Sequence, residues 1–386
     1  MGEEANGVLP DRALGALSRN GALTLKSDPL SPSPPSSTPS STLAKRSSNA
    51  KSASQIQPAS LDLTLGRRAF RVRASFLPSP TATVQERLET GLLMHEFDIA
   101  DGAVFERGCV YLVELNERLS LPGDINAAAN PKSSTGRIDV FVRLVTDYAS
   151  AFDQAPAGYE GPLYVEICPR TFSIVARTGS SLNQLRLKQG RPALSDAETL
   201  AVHQQSPLID GAPSVTDGLG LRVDLAPTED GPTGWRARRH AGLIDVDELG
   251  ALAPGDYFEP IVKDKGQSLI LEPDEFYILA SRERLCVPPG YAAEMTPISP
   301  GLGEFRVHYA GFFDPGFGYR EGAAPSAKAV LEVRSHDAPF VLDDGQLVAR
   351  LVYERMLEPP DHLYGEDALS NYQGQGLRLS KHFKAA

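Results

Sequence analysis

Between residues 60 and 354 the chain repeatedly alternates apolar and polar side chains over short runs, then breaks at Gly, Pro, Asn or Asp. The runs include SLDLTLG (60–66), CVYLVEL (109–115), LYVEI (163–167), EFYILA (275–280), AVLEV (329–333) and QLVARLVYE (346–354). A period of two sends successive side chains to opposite faces of a strand. Many short strands separated by turn residues predict an all-β, jelly-roll-like barrel or sandwich. A helical pattern occupies residues 9–24 (LPDRALGALSRNGALT), where Leu14 and Leu17 share a face and Asn20-Gly21 should end the helix. Residues 27–54 are Ser, Pro, Ala and Lys with almost no large apolar groups, so they cannot offset their ordering entropy and are expected to be disordered.

The strand pattern repeats. Glu106 matches Glu272, 166 residues on, and the same offset pairs Tyr111 with Tyr277, Glu117-Arg118-Leu119 with Glu283-Arg284-Leu285, and Pro122 with Pro288. It also pairs Pro131 with Pro297, Glu166 with Glu332, Gly179 with Gly345, and Leu185 with Leu351. So many matches at one spacing predict two tandem copies of one barrel. The expected organisation is an N-terminal helix and insert (1–55), a first barrel (56–200), a linker and second barrel (201–357), and a C-terminal tail (358–386). The polar stretch DAETLAVHQQSPLIDGAPSVTDG reads as the linker.

A chain of 386 residues with 41% hydrophobic residues is long enough for two cores. Its formal net charge of −11 argues against nucleic-acid binding but leaves room for a small phosphate ligand held by local donors. Cys109, Cys168 and Cys286 form no C-x-x-C, so neither a disulfide framework nor a zinc site is expected. The seven histidines show no H-x-E followed by P-C-x-x-C, the zinc deaminase signature. No apolar run is long enough to span a membrane, the start Met1-Gly2-Glu3-Glu4 lacks a basic apolar leader, and a cytoplasmic setting is expected.

Three segments offer chemistry. Lys132-Ser133-Ser134-Thr135-Gly136-Arg137 concentrates two cations, three hydroxyls and a glycine, a composition suited to a triphosphate; an ordinary polar turn is the alternative. Phe313-Asp314-Pro315-Gly316-Phe317 reads as a turn leading to the strand AVLEV. On that strand Val330, Glu332 and Arg334 lie opposite Ala329, Leu331 and Val333, so Glu332 is either a general base lining a cleft or a solvated partner of Arg334. The tail from Tyr364 to Gly376 is rich in Gly, Tyr and amides and could fold over a ligand or stay disordered. Trp235 and Arg236-Ala237-Arg238-Arg239 are expected on a surface loop.

In this order the segments resemble the dCTP deaminase branch of the dUTPase-like fold, over most of the chain outside 27–54 and the linker. Lys132 to Arg137 is similar to that family's phosphate loop, with Lys replacing its first Arg. Ala310 and Phe313 to Phe317 are similar to its Ala…Ile-Asp-Pro-Gly-aromatic segment, and Glu332 to its catalytic glutamate. Tyr364, Tyr372 and Gln375 match its tail motif, with Asn371 where the family has Lys. The resemblance implies two dUTPase-like barrels and removal of the 4-amino group of dCTP to give dUTP. It assigns Glu332 as base, with Ser133, Arg137 and a carbonyl near Ala310 holding the water. The 3′-hydroxyl falls to Asp314 and C2′ to Phe317, with Val330 and Leu331 also among the substrate-binding residues. Lys132, Ser133, Ser134, Thr135, Gly136, Arg137, Tyr364, Asn371 and Gln375 would hold the triphosphate, with Mg²⁺ arriving on it and no zinc. It also implies dTTP as an inhibitor.

The copies have diverged in complementary ways. The first keeps the cationic loop but has Phe152-Asp153-Gln154-Ala155-Pro156 at the turn. The second keeps Asp-Pro-Gly-Phe but has Ile298-Ser299-Pro300-Gly301-Leu302-Gly303 at the loop. Sites in this family lie between barrels, so loop 132–137 is expected to face Glu332, within or between chains. Two barrels do not close a three-barrel ring, so a homo-oligomer is expected. A dUTP diphosphatase, a bifunctional enzyme giving dUMP and pyrophosphate, and a non-catalytic nucleotide sensor are the alternatives.

Overall fold

The computed structural model describes residues 6–25, 55–227, 231–264, 266, 268–298, 305–308, 311–335, 337–366 and 372–385. The expected disorder of 27–54, and Ala310 and Asn371, fall outside them.

The chain is all-β. The first barrel opposes two sheets. One pairs Asn183–Gln189 with Ile125–Pro131, Leu61–Leu63 and Gly7–Val8; the other runs Leu93–Asp98, Leu65–Val72, Val110–Ser120, Glu160–Pro169, Val140–Thr146. The second barrel repeats the plan. Leu347–Arg355 lies between Leu219–Arg222 and Tyr291–Pro297, and Tyr277–Leu285 pairs with Ala327–Ser335. The sequence repeat has a structural counterpart in hydrogen bonding. The Glu106 amide donates to the Tyr111 hydroxyl and the Glu272 amide to that of Tyr277, at 3.1 and 3.0 Å. Buried Glu117 and Glu283 each accept a backbone N–H, from Thr64 between Leu61–Leu63 and Leu65–Val72 and from Arg222 of strand Leu219–Arg222.

Helix Asp11–Arg19 buries Leu14 and Leu17 and ends at Asn20 and Gly21, the latter at φ +82°. One expectation gains detail and one needs correction. The linker contains a helix, Asp196–Gln205, whose Ser195 and Glu198 form a reciprocal capping box. Only Thr199 and Val202 of this helix are buried, so it has no apolar stripe; the S-x-x-E start was its one sequence signal. Trp235 is not on a surface loop. It lies in strand Gly234–Ala237 and packs in the first barrel's core cluster, while Arg236 and Arg238 pair with Glu259 outside.

That cluster explains how the barrels join. Tyr257, Phe258, Phe276, Ile278 and Val330 of the second barrel are buried in the same cluster as Phe172 and Ile174 of the first. Ile174–Ala176 also pairs in parallel with Ile244–Asp245. The outer face of strand Ala327–Ser335 is therefore covered by the first barrel, which is why all its residues but Lys328 are buried.

Candidate active site

After strand Ile125–Pro131 the chain makes a single helical turn, Ser133–Gly136, closed by Thr135 and Gly136 amides donating to the Lys132 carbonyl at 2.8 and 3.0 Å. The segment is thus a compact turn with Ser134, Thr135 and Gly136 buried; Lys132 and Ser133 are half-buried. The Thr135, Gly136 and Arg137 amides are spent on carbonyls of the turn itself. Lys132 pairs with Asp62, and the turn delivers Arg137 inward.

Arg137 meets Glu332 within the same chain. Its Nε lies 3.8 Å from Glu332 Oε1, both side chains are almost fully buried, and Nε makes no hydrogen bond. Burial raises the Glu332 carboxyl from its ordinary 4.5 to about 8; Arg137 opposes this and Asp139 adds to it. Arg334 does not pair with Glu332. It grips Asp139 and Thr171 of the first barrel. Val330 and Leu331 separate as the pleat requires: Val330 faces the first barrel and Leu331 fills the second barrel's own core. Leu331 can offer a ligand only its backbone.

The tail brings the remaining segments together. Arg137 stacks on Tyr372 at 3.9 Å and donates to the Gln375 side chain and the Arg378 carbonyl, both at 3.0 Å. Gln375 also donates to the Lys328 carbonyl at 3.0 Å. Ser380 donates to the Ser134 carbonyl at 2.8 Å. Gln373 closes on the hairpin, accepting from the Gly318 amide at 2.8 Å and donating to the Gly316 carbonyl at 3.0 Å. Tyr364 accepts from the Tyr372 amide and packs on Phe317, with ring centroids 5.6 Å apart. Gly316 sits at φ +99°, and a Cβ there would meet the Tyr364 nitrogen at 2.7 Å, so only glycine fits.

Asp314 is buried against Arg186, 3.0 Å away, and accepts from Ser60 Oγ at 3.1 Å. Fully buried Arg186 of the first barrel also reaches Glu354 and the carbonyls of Ala293 and Phe313. Arg186, Gln373 and Lys381 adjoin the site but were not among the sequence candidates. Isolated polar residues in a strand or tail carry no local signal of what they face. Burial and nearby Lys132 push the Lys381 amine below lysine's ordinary range. Among the described residues no group of three or more His, Cys, Asp or Glu could hold a metal, and no helix is long and apolar enough to cross a membrane.

The equivalent carboxylate of the first barrel is closed off. Glu166 accepts from Arg143 at 2.6 Å, and Arg143 in turn stacks on Phe152 at 3.5 Å and donates to Ser75 at 2.6 Å. Its own sheet therefore supplies the cation that Glu332 receives from the other barrel. Glu166→Gln should leave kcat and KM for the chain's activity within about twofold while lowering stability by about 1–3 kcal/mol, checked by steady-state rates and urea unfolding.

The sequence model for the 2′-deoxycytidine 5′-triphosphate deaminase N-terminal domain matches residues 39–191, and that for the C-terminal domain of the same enzyme matches 195–383. A dCTP deaminase of Haloarcula marismortui is 33% identical over 148 residues, 37% of this chain and 71% of that protein. A dUMP-forming dCTP deaminase of Halobacterium salinarum is 30% identical over 124 residues, 31% of this chain and 59% of that protein. The crystal structure of 2′-deoxycytidine 5′-triphosphate deaminase from Agrobacterium tumefaciens superposes with a TM-score of 0.81 at 49% identity, covering 92% of this chain and 100% of that one. With both halves matched and a solved relative covered end to end, the chain belongs to the dCTP deaminase family.

Proposed function

We propose that the chain hydrolyses the 4-amino group of dCTP, giving dUTP and ammonia, at the seam where Arg137 faces Glu332. The supporting observation is a buried carboxylate, raised to about 8, opposite an arginine of the other barrel. A carboxyl tuned to neutral pH can both take and return a proton. Water adds to C4 as Glu332 takes its proton. The same group then protonates the departing nitrogen as the C4–N bond breaks, and the proton left on the C4 hydroxyl passes to N3 as the C4 carbonyl forms, which gives ammonia and the N3–H uracil ring. Ser133, Arg137 and the Ala310 carbonyl would position water and glutamate. Asp314, oriented by Arg186 and Ser60, would take the 3′-hydroxyl, and Phe317 would pack at C2′. Val330 and the Leu331 backbone would border the base.

Lys132, Ser133, Ser134, Thr135, Gly136, Arg137, Tyr364, Asn371 and Gln375, with Lys381 added, would hold the triphosphate. Ammonium, guanidinium and hydroxyl donors suit phosphate oxygens better than a cation, so Mg²⁺ would enter on the substrate. Inhibition by dTTP, assembly of chains and a cytoplasmic setting belong to the same reading.

Several relatives are named as dUMP-forming, which favours pyrophosphate release as a second reading. Incubation of the full chain with dCTP and Mg²⁺ should release ammonia. Ammonia without pyrophosphate supports the first reading, both products support the second, and neither product removes both. The kcat/KM for dCTP should rise with pH through an ionisation displaced above 4.5 toward about 8, because only deprotonated Glu332 can accept a proton.

A further inference from the structure

A cleft of about 430 Å³ opens between the barrels, apart from the loop and tail just described. Its walls carry Arg107 and Arg170 from the first barrel and Arg238, Arg239, His240 and Arg334 from the second. Five arginines against two lining carboxylates, Asp274 and Glu275, make it strongly cationic in a chain of net charge −11. Three of the arginines are committed: Arg238 to Glu259, Arg239 to Glu275 and Arg334 to Asp139. Arg107 and Arg170 have no carboxylate partner among the described residues. Arg107 is oriented by its Nε donating to the Arg170 carbonyl at 2.9 Å, and its amide donates to Ser173 Oγ at 2.9 Å.

His240 and Asp274 line the cleft from left-handed backbone, each at φ +60°, a conformation that costs energy in residues other than glycine. The repeat does not explain its cations either. At the 166-residue offset Arg107 corresponds to Pro273 and Arg170 to His336, so the two first-barrel arginines have no arginine counterpart in the second copy.

We propose that this cleft is a second anion site, binding a small phosphate-bearing molecule between the guanidiniums of Arg107 and Arg170, neither of which is paired with a carboxylate among the described residues. Planar guanidiniums match phosphate oxygens two at a time. The volume suits a polyphosphate or a mononucleotide, within the range of small-ligand pockets, and the acidic chain disfavours a nucleic-acid polymer.

The test is titration calorimetry of the full chain with inorganic pyrophosphate, in a Lys132→Ala/Lys381→Ala background that weakens the loop-and-tail site. Binding should persist there, and adding Arg107→Ala/Arg170→Ala should weaken it at least tenfold. Both arginines are exposed, so thermal melts should be unchanged and the pair alone should leave ammonia release from dCTP intact. A parallel titration with dATP separates sources. Tighter arginine-dependent binding than pyrophosphate identifies a nucleotide, and equal or weaker binding identifies an inorganic polyphosphate. No pyrophosphate binding in the background, or equal binding with and without the two arginines, overturns the proposal. So does a change in sedimentation without a change in pyrophosphate affinity, which would make the cleft a contact between chains.

Discussion

Glu332→Gln should lower kcat for ammonia release from dCTP by about 10²–10⁴-fold while leaving nucleotide binding nearly intact. The amide has the shape of the acid but cannot accept the water's proton. Calorimetric dCTP affinity beside single-turnover ammonia release separates the two effects. A variant that releases ammonia at close to the normal rate would remove Glu332 from the chemistry. Stability supplies an independent check with a defined sign. The carboxyl is ordinarily near 4.5 and burial raises it to about 8 in the folded chain. The folded state therefore holds this proton more tightly than the unfolded state. Its contribution is complete below pH 4.5 and is lost as pH rises toward about 8. Glutamine has no proton to lose, so the variant should gain stability relative to the parent between pH 5 and pH 9 in urea unfolding. A constant difference across that range would show that Glu332 does not titrate as its burial requires.

Arg186→Met should cost about 3–5 kcal/mol, the largest stability effect expected from a single change here. Methionine fills the volume but leaves the buried carboxylates of Asp314 and Glu354 without the guanidinium that joins them. Lys188 still reaches Glu354 and Ser60 still reaches Asp314, which keeps the loss from being larger. The arginine also bonds the Ala293 and Phe313 carbonyls across the seam, so the barrels lose part of their registration. Restoring charge balance with Asp314→Asn and Glu354→Gln should recover part of the loss, because the penalty is mostly that of uncompensated buried charge. Urea midpoints of the three proteins test this; a single variant within about 1 kcal/mol of the parent would show that water already compensates the network.

How far the site was legible depended on whether its signal was local. The loop Lys132–Arg137, the turn at Asp314 and the strand phase of Glu332 can each be found from residue type and spacing. The capping box at Ser195 and Glu198 was also local, but its helix lacks the apolar stripe that draws attention. Arg143 beside Glu166 illustrates the opposite case. The two lie on neighbouring strands, Val140–Thr146 and Glu160–Pro169, and only strand register makes them partners. Trp235 and its arginines look like an exposed basic run, yet pairing with Phe258–Ile261 and Tyr277–Leu285 turns them into a strand with one buried face.

By itself the sequence determined that the chain is built from short strands, that one barrel plan occurs twice, and that the copies keep different segments, the Lys132–Arg137 loop in the first and Asp-Pro-Gly-Phe in the second. Those properties follow from side-chain period and repetition, which are written along the chain. The tertiary structure decided that the polar-looking face of strand Ala327–Ser335 is buried, that Arg137 reaches Glu332 within one chain, and that Tyr372 and Gln375 close over that pair. Alternation says which side chains share a face. Whether that face meets water or a second barrel depends on long-range packing, which no local pattern encodes.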